Sequence, residues 1–345
     1  MKSQSVLLGM SGGVDSSVAA GILRDAGYEV TGVTFRFYEA NDDSDYLRDA
    51  ASSASRLGIR HIVYDARDLF RQEIISYFTD EYMAGRTPVP CVVCNNRLKW
   101  PLLRQIADEN NIRCISSGHY AGTDFVNGKY YVTCGGDSDK DQSFFLWGLR
   151  QDILERIVFP LQNYDKKTVR TLAGERGLGK SAVKKDSIGV CFCPGDYRSF
   201  LRKHVPEGSI CPGFFEDDNG KIIGKHRGYP FYTVGQRRGL GINLQKPVFV
   251  RDICSETNRI ILSDLKSSEK TELMLKDYHI VEPNDFEQPV ICKIRYRKQA
   301  TLARVENIGG EFLRVRFLEP VTSVAPGQSA VFYRDNRVLG GGIIC

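Results

Sequence analysis

A glycine-rich segment near the start of the chain, Ser11-Gly12-Gly13-Val14-Asp15-Ser16, has the residue types of a phosphate-binding loop. Adjacent glycines let the main chain approach phosphate oxygens, the serines supply hydroxyl donors, and the Asp15 carboxylate is suited to orient a magnesium ion. A helix that begins near Val14 would point its positive end at the anion. A tight turn with a serine cap is the simpler alternative, but the complete string favours ATP binding.

Thiols form the second group of reactive residues. Cys91 and Cys94 form a Cys-x-x-Cys pair, and Cys191 lies far along the chain, after Lys184-Lys185. In a reducing compartment such cysteines are seldom disulfides, so we expect catalytic, redox or metal-binding use. The start of a helix after Cys94, or a nearby lysine, would lower the pKa of the Cys94 thiol. We therefore expect a larger fraction of thiolate there, which nucleophilic and persulfide chemistry require.

Metal binding is the alternative use of these thiols. Three thiolates on Cys91, Cys94 and Cys191 would leave one iron of a [4Fe-4S] cluster open to sulfide, and this alternative stays open. A zinc site is disfavoured because the second element is Cys-x-Cys rather than a second Cys-x-x-Cys knuckle.

A second glycine-rich string, Gly174–Ser181, matches the Walker A expression letter for letter. The preceding residues, Lys167–Ala173, predict a helix rather than the buried strand that a Walker A loop requires. We therefore interpret these glycines as the C-terminal end of a helix.

The first third of the chain alternates between strand and helix patterns, which predicts a doubly wound parallel sheet covered by helices on both faces. The predicted strands are Ser5–Met10, Glu29–Phe37, Arg60–Tyr64 and Arg113–Ser117. The predicted helices are Val14–Ala26, Leu47–Leu57, Leu69–Met83 and Leu98–Asn110. Between the last two helices, Gly85–Cys94 predicts a constrained loop because its prolines disfavour a helix.

Beyond about residue 194, glycine and proline become frequent, and Tyr197–His204 is the last long helix predicted. Short alternating strands with the spacing of a small barrel are predicted over Val290–Tyr296, Ala300–Glu306, Phe312–Phe317 and Ser329–Tyr333. We therefore expect an α/β domain over residues 1–200, a small mainly-β central domain over 201–264 and a C-terminal β-barrel over 265–345.

The composition excludes a membrane-spanning helix, because no apolar run approaches the roughly 20 residues that a bilayer crossing needs. The first ten residues lack a secretory pattern, so we expect a cytoplasmic protein with no membrane partner. A net charge of +5 permits a phosphate-rich partner without demanding one.

The glycine-rich segment resembles the signature of the N-type ATP pyrophosphatases, or PP-loop enzymes, which cleave ATP between the α and β phosphates. Over nearly its whole length the chain resembles the bacterial tRNA-specific 2-thiouridylases. The resemblance rests on ordered blocks: Ser11–Ser16, Gly85–Pro88, Cys94-Asn95, Ser117–Tyr120, Lys140–Ser143, Asp186–Phe192, Tyr232–Ile242, Arg295–Arg297, Pro326–Tyr333 and Leu339–Ile344.

This resemblance implies a tRNA-uridine 2-sulfurtransferase that uses ATP and Mg²⁺. Such an enzyme adenylates the C2 oxygen of the wobble uridine, replaces that oxygen with persulfide sulfur, and releases AMP and pyrophosphate. The implied partners are the tRNA anticodon stem-loop and a sulfur-donor protein such as a cysteine desulfurase or a sulfur relay protein.

The resemblance also implies residue roles by position, with Cys94 as the nucleophile and Cys191 as the persulfide carrier. The implied ATP-binding residues are Gly9, Met10, Ser11, Gly12, Gly13, Val14, Asp15, Ser16, Phe35 and Gly118. The implied tRNA contacts are Val89, Pro90, Cys91, His119, Lys140, Asp141, Gln142, Arg295, Tyr296, Arg297 and Gln328, of which the first three lie beside the target base.

One position departs from the family pattern. The family usually shows Asn-Pro-Asp before the cysteine, whereas this chain has Val89-Pro90-Cys91, so the carboxylate often assigned acid or base work is missing. Cys91 would replace it as a proton handler or serve as a metal ligand.

Two other functions remain open at this point. Another enzyme of the same ATP class, an amide-forming ligase or an argininosuccinate-type synthetase, would not need paired cysteines. A non-catalytic tRNA-binding protein would bind tRNA without hydrolysing ATP.

Overall fold

The computed structural model describes residues 4–38, 45–178, 189–193, 195–242, 247–297 and 300–345. The chain divides into two compact units. Unit 1 comprises Met1–Ile74, Cys91–Phe192 and Asp335–Leu339, and unit 2 comprises Ile75–Pro90, Cys193–Arg334 and Gly340–Cys345. The three-domain division at residues 200 and 264 stays a prediction.

Helices of the described residues occur mainly in the first two thirds of the chain. The α-helices are α1 (Val14–Asp25), α2 (Asp45–Arg56), α3 (Arg67–Phe70), α4 (Ser76–Met83), α5 (Pro90–Val93), α6 (Trp100–Glu109), α7 (Gln151–Leu154), α8 (Lys166–Glu175) and α9 (Tyr197–His204). Two π-helical turns, π1 (Arg71–Ile75) and π2 (Cys94–Lys99), join α3 to α4 and α5 to α6. Short 3₁₀ turns cover Ser143–Leu146, Tyr229–Phe231, Lys266–Ser268 and Pro283–Phe286.

Strands occur along the whole chain and dominate its last third. They are β1 (Ser5–Gly9), β2 (Glu29–Arg36), β3 (Arg60–Asp65), β4 (Cys114–Ser117), β5 (Ala121–Val126), β6 (Lys129–Cys134), β7 (Ile157–Val158), β8 (Gly213–Glu216), β9 (Ile222–His226), β10 (Phe249–Cys254), β11 (Arg259–Ser263), β12 (Glu269–Ile280), β13 (Val290–Lys293), β14 (Ala300–Asn307), β15 (Leu313–Thr322), β16 (Ser329–Arg334) and β17 (Arg337–Ile344).

The main sheet of unit 1 is parallel with strand order β3-β2-β1-β4-β7, which confirms the predicted α/β class. Val6 and Leu8 of β1 pack in a buried core with Val18 of α1, Ala54 of α2 and Val169 of α8. The chain runs outward from β1 in both directions, to β2 on one side and to β4 on the other. In open α/β sheets ligands bind outside the carboxyl end of the strand at which the order reverses, here the end of β1.

A β-hairpin of unit 1 was not predicted from the sequence. Strands β5 and β6 pair through the turn Asn127-Gly128, whose φ angles of 50° and 79° are those of a two-residue type I′ hairpin. Strand β6 continues by pairing with the start of β17, where Thr133 is opposite Arg337.

Unit 2 is mainly β, as predicted. One sheet has the strand order β10-β11-β8-β9. The C-terminal strands form a closed six-stranded barrel in the order β12-β15-β14-β13-β16-β17, which the pairing of β12 with β17 completes. Two strand ends differ from the prediction, since β13 ends at Lys293 and β15 continues to Thr322.

The prediction of a loop over Gly85–Cys94 is wrong in its second half, because α5 begins at Pro90 and carries Cys91. Proline is favoured at the first position of a helix, where its missing N–H needs no partner and its fixed φ suits the helix. The loop is therefore confined to the residues before Pro90.

The helical interpretation of the Walker-like string is confirmed over the described part. Helix α8 ends at Glu175, and Gly177 follows with a left-handed φ of 66°. Residues 179–181 of the string lie outside the described ranges. None of the described helices is long and apolar enough to cross a bilayer.

Candidate active site

The glycine-rich loop lies between the end of β1 and the start of α1, as the sequence predicts. Its serines hold the loop together, because the Ser16 hydroxyl lies 3.2 Å from both the Ser11 backbone nitrogen and the Gly13 carbonyl oxygen. Gly13 precedes α1 and provides no side-chain cap. The first N–H groups of α1 therefore point out of the helix end toward the place of an anion.

Two glycines are required by close backbone contacts at this loop. Gly12 has a φ of 73°, and a Cβ there would lie 2.4 Å from the Tyr46 carbonyl oxygen. A Cβ on Gly118, just after β4, would lie 2.8 Å from the Ser16 nitrogen. Gly118 therefore lets the β4 end approach the start of α1, as its predicted place in the ATP site requires.

Asp15 is held by two donors that the sequence analysis missed. The Lys166 ammonium lies 2.8 Å from each Asp15 carboxylate oxygen, and the Tyr120 hydroxyl donates to one of them at 2.7 Å. Lys166 begins α8, and no local spacing links it to the loop. The fold thus brings a cation to a loop segment that contains none.

Met10 and Phe35 are two further residues of the predicted ATP site. The Met10 backbone nitrogen donates to Val33 of β2, and its sulfur occupies the space where a Cβ of Gly32 would lie. Phe35 is buried and stacks on Phe37 at a centroid distance of 5.1 Å. Both side chains are apolar and buried.

The thiols of Cys91 and Cys94 lie on the continuous helical segment formed by α5, π2 and α6. Burial raises the pKa of the Cys94 thiol to about 11, and the Lys99 ammonium lowers it only in part. Burial likewise raises the pKa of Cys91, again against Lys99. The expectation of a lowered thiol pKa at Cys94 is wrong in this conformation, because the helix starts earlier, at Pro90, and desolvation outweighs the lysine.

Cys191 lies in the same unit and interacts electrostatically with both other thiols. The residue as a whole is exposed, yet burial of its thiol raises the pKa to about 12, with smaller contributions from Cys91 and Cys94. Lys99 lowers this pKa as well. The positive charge of Lys99 therefore acts on all three thiols, those of Cys91, Cys94 and Cys191.

A buried aromatic contact places the Cys191 segment near the helical segment. Phe192 is fully buried and meets Phe70 of α3 edge to face at 5.5 Å. Helix α3 in turn contacts π2, which begins at Cys94. The preceding residues of this predicted block, 186–188, lie outside the described ranges.

The thiols do not form a metal-ligand set in this conformation. Within the described ranges, no three His, Cys, Asp or Glu side chains are close enough together to hold a metal ion. The residues present therefore do not fit an iron-sulfur cluster as they stand.

His119 follows Gly118 and is packed rather than freely presented. Its Nδ1 lies 2.6 Å from the Ser117 hydroxyl, and its ring stacks near Trp100. Desolvation, aided by the positive charge of Lys99, lowers the pKa of His119 well below 6.5. The imidazole is therefore neutral at physiological pH.

The side chains of Asp141 and Gln142 hold the segment Lys140–Gln142 in place by accepting hydrogen bonds from backbone nitrogens. The Asp141 carboxylate accepts from the backbone nitrogens of Gly135 and Ser143, and the Gln142 side-chain oxygen accepts from the Tyr120 nitrogen. These bonds fix the loop beside the tyrosine that contacts Asp15.

The predicted tRNA contacts of unit 2 also make structural bonds. One Arg295 guanidinium nitrogen donates to the Val234 and Ser323 carbonyl oxygens, and desolvation lowers the Arg295 pKa. The exposed Arg297 guanidinium lies over the Tyr296 ring at 5.5 Å.

Gln328 and the loop that leads to Val89 are joined within unit 2. Gln328 donates to the Thr87 carbonyl oxygen at 2.9 Å, and a Cβ on Gly327 would lie 2.9 Å from the Thr87 nitrogen. Arg86 forms a double hydrogen bond with the buried Glu81 carboxylate. These contacts fix the backbone just before Val89 and Pro90.

The parallel sheet with the glycine-rich loop at the reversal of strand order defines a PP-loop protein, and comparison with known proteins specifies the family. Family models match residues 4–195 (tRNA methyl transferase HUP domain), 198–264 (tRNA methyl transferase PRC-barrel domain) and 270–344 (Aminomethyltransferase beta-barrel domain).

Curated relatives match the whole chain. The tRNA-specific 2-thiouridylase MnmA 2 of Phocaeicola vulgatus is 59% identical over 98% of this chain and 97% of its own length. MnmA 1 of Bacteroides fragilis is 54% identical over 99% and 98%. MnmA of Cytophaga hutchinsonii is 40% identical over 99% and 98%. The chain belongs to the tRNA-specific 2-thiouridylase family.

Proposed function

We propose that this protein replaces the C2 oxygen of the tRNA wobble uridine with sulfur at the expense of ATP. The observation that carries the proposal is that the positive charge of Lys99 lowers the pKa of both the Cys94 and the Cys191 thiols, within the unit that also contains the glycine-rich loop. Relatives named tRNA-specific 2-thiouridylases, matched over their full length, support the substrate.

The first step activates the uridine. A carbonyl oxygen is a poor leaving group, so the C2 oxygen attacks the α-phosphorus of ATP, and pyrophosphate leaves with the electron pair of the broken P–O bond. The uncapped start of α1 and the Ser11 and Ser16 hydroxyls would bind the phosphates. The Asp15 carboxylate would hold Mg²⁺ after exchanging its bond to the Lys166 ammonium for the metal ion, which would neutralise phosphate charge.

The second step transfers sulfur from a persulfide on Cys191, by one of two routes. In one, the terminal sulfur attacks C2 and displaces AMP, and Cys94 then attacks the Cys191 sulfur to release the thiouridine. In the other, Cys94 attacks first and releases hydrosulfide, which displaces AMP from C2. Both routes end in a Cys94–Cys191 disulfide, which a thiol reductant must reduce.

The raised thiol pKa values have a consequence for this chemistry. Both thiols are protonated at neutral pH in the free protein, so a thiolate must form when substrate is bound. The Lys99 ammonium is the positive group that favours it. Cys91, in the place of the family's carboxylate, is suited to handle a proton beside Cys94.

The protein would contact its tRNA partner at the anticodon loop, whose unstacked bases are accessible. We assign the target base to Val89–Cys91 and further contacts to His119, Lys140–Gln142, Arg295–Arg297 and Gln328. The sulfur would be delivered to Cys191 by a donor protein, a cysteine desulfurase or a relay protein.

Reconstitution tests the proposal. Purified protein, a tRNA transcript with a wobble uridine, ATP, Mg²⁺ and a persulfide source should yield 2-thiouridine by nucleoside mass spectrometry, with AMP in equal amount. The Cys94→Ser variant should bind tRNA but form no thiouridine. AMP without 2-thiouridine would favour a ligase of the same ATP class, and tRNA binding with neither product would favour a non-catalytic binder.

A separate experiment tests for an iron-sulfur cluster. Anaerobic purification followed by iron analysis and visible absorption would detect it. An iron content that rises in proportion to thiolation activity would favour the cluster over the persulfide route.

A further inference from the structure

A half-buried lysine from a distant part of the chain lies at the phosphate loop. The Lys166 ammonium bonds both oxygens of Asp15 at 2.8 Å, and its side chain is 12% exposed, against 31% for Asp15. The loop itself supplies no cation, since Asp15 is the only charged residue of Ser11–Ser16. A nucleoside triphosphate carries several negative charges, so a cation at this place would offset the charge of its phosphates.

The fold holds Lys166 in place from both sides. As the first residue of α8, it follows the N-cap Asp165, whose carboxylate accepts from the Thr168 nitrogen at 2.6 Å. Its own backbone nitrogen donates to Asp137 at 3.1 Å. Val169, one turn along α8, is buried against α1. The start of α8 is thus fixed relative to the loop, and the ammonium position is preorganised.

Tyr120 completes the arrangement. The Tyr120 hydroxyl donates to Asp15 Oδ1, one of the two oxygens that accept from Lys166. The Lys166 ammonium lies 5.9 Å from the centre of the Tyr120 ring. A Cβ on Gly118, two residues earlier, would lie 2.9 Å from the Asp15 carbonyl carbon and 2.8 Å from the Ser16 nitrogen. A carboxylate with this set of donors is oriented, and it orients the lysine in turn.

We propose that Lys166 binds the phosphate chain of ATP and stabilises the charge that develops on the departing pyrophosphate, a role that rests on the proposed adenylation. In that step the bond from the α-phosphorus to its bridging oxygen breaks, and the electron pair stays on pyrophosphate. A fixed ammonium at this oxygen stabilises the transition state more than the ground state. Asp15 keeps the lysine in position before the nucleotide binds.

A purely structural ion pair is the competing explanation. A partly exposed pair contributes little to stability, and its removal would change melting temperature rather than nucleotide affinity. The readout must therefore be phosphate binding and adenylation, with folding measured in parallel.

The test compares Lys166→Gln, which removes the charge at similar length, with Lys166→Arg, which keeps it. Lys167→Gln, at the next and exposed position of α8, is the matched control. Binding of pyrophosphate and of ATP is measured by calorimetry without tRNA, and AMP formation is measured with tRNA. Lys166→Gln should weaken pyrophosphate binding by about tenfold. It should also lower kcat for AMP formation on the order of 100-fold.

The charge-retaining variant and the control sharpen the result. Lys166→Arg should keep most of the pyrophosphate affinity, and Lys167→Gln should stay within about twofold of wild type. Wild-type pyrophosphate binding and AMP formation in a folded Lys166→Gln protein would overturn the role. Equal losses in Lys166→Gln and Lys166→Arg, in step with melting temperature, would also overturn it in favour of a structural pair.

Failure of the proposed function gives a different result. If the wild-type protein forms no AMP with any tRNA, adenylation fails as the activity. The pyrophosphate affinities of wild type and Lys166→Gln still decide whether the lysine binds phosphate.

Discussion

Lys99 ends the π-helical turn that begins at Cys94, and its ammonium group lowers the pKa of the Cys94 thiol that burial raises to about 11. The same lysine acts in the same direction on Cys91 and Cys191. π-Helical turns are rare and often occur at functional sites, and this one ends at a cation that lowers the pKa of three thiols.

Removal of the Lys99 charge should therefore slow sulfur transfer. In Lys99→Gln the thiol pKa rises further, so less thiolate is present at any pH below it, and the rising limb of the pH–rate profile moves to higher pH. We expect a rate about tenfold lower at pH 7.5, with partial recovery at pH 9. Single-turnover thiolation against pH measures this. Arg97→Gln, on the same turn, is the control and should leave the rising limb of the pH–rate profile at its wild-type pH. If the profile of Lys99→Gln also stays at the wild-type pH, the lysine has no role in thiol activation.

Gly118→Ala should disable the ATP site without unfolding the protein. The new Cβ would lie 2.8 Å from the Ser16 nitrogen and 2.9 Å from the Asp15 carbonyl carbon, which are backbone atoms that cannot rotate away. Displacement of the loop should lower AMP formation about 100-fold.

Gly174→Ala is the matched control for that substitution. It lies inside α8, and its Cβ would meet nothing within 4 Å. It should stabilise the helix by about 0.5–1 kcal/mol and keep full activity. Equal activity of the two alanine variants would show that the loop does not need its close contact with Gly118.

Cys91 should matter less than Cys94 or Cys191, because the proposed mechanism gives it a proton to handle rather than sulfur. Cys91→Ala should lower thiolation about 100-fold, and Cys91→Asp, which restores the family's carboxylate, should recover most of it. Nucleoside mass spectrometry measures both, with Cys211→Ser at an exposed position as the control. Full activity of Cys91→Ala would exclude the proton-handling role.

Stability should fall as the pH drops below about 6.5, in part because of His119. Desolvation holds its pKa well below 6.5 in the folded state, so the unfolded chain takes up the proton and the folded chain does not. One such group contributes at most about 1.4 kcal/mol per pH unit to the slope. The free energy of unfolding of His119→Asn should therefore depend less on pH between 5 and 6.5. Some slope should remain, because burial also lowers the pKa values of His61 and His226. An unchanged slope would contradict the assignment.

The sequence predicted the α/β sheet, the barrel and the loop of the ATP site because these depend on local patterns. The string at Ser11–Ser16 lies between a strand and a helix, and the residues before Gly174 are helical in the structure as in the prediction. The Asn127-Gly128 hairpin carried a clear local signal that the sequence analysis did not use.

Other features depend on tertiary structure and could not be predicted in this way. Lys166 reaches Asp15 only because α8 packs beside α1. Lys99 joins the thiols through a π-helical turn, which α-helical periodicity does not anticipate. The direction of the Cys94 pKa shift followed from burial, which outweighed the favourable charge. Pro90 began a helix rather than blocking one, because a proline is compatible with a first turn.

In the proposed reaction Cys191 carries the sulfur and Cys94 completes its transfer to an ATP-activated uridine. Protein loaded with a ³⁴S persulfide, freed of donor and mixed with tRNA and ATP for a single turnover, tests it by mass spectrometry of nucleosides and peptides. We predict ³⁴S in 2-thiouridine, one AMP for each thiouridine, and a new Cys94–Cys191 disulfide. Labelled thiouridine formed equally well by a Cys94→Ser, Cys191→Ser double variant, or without ATP, would contradict the account.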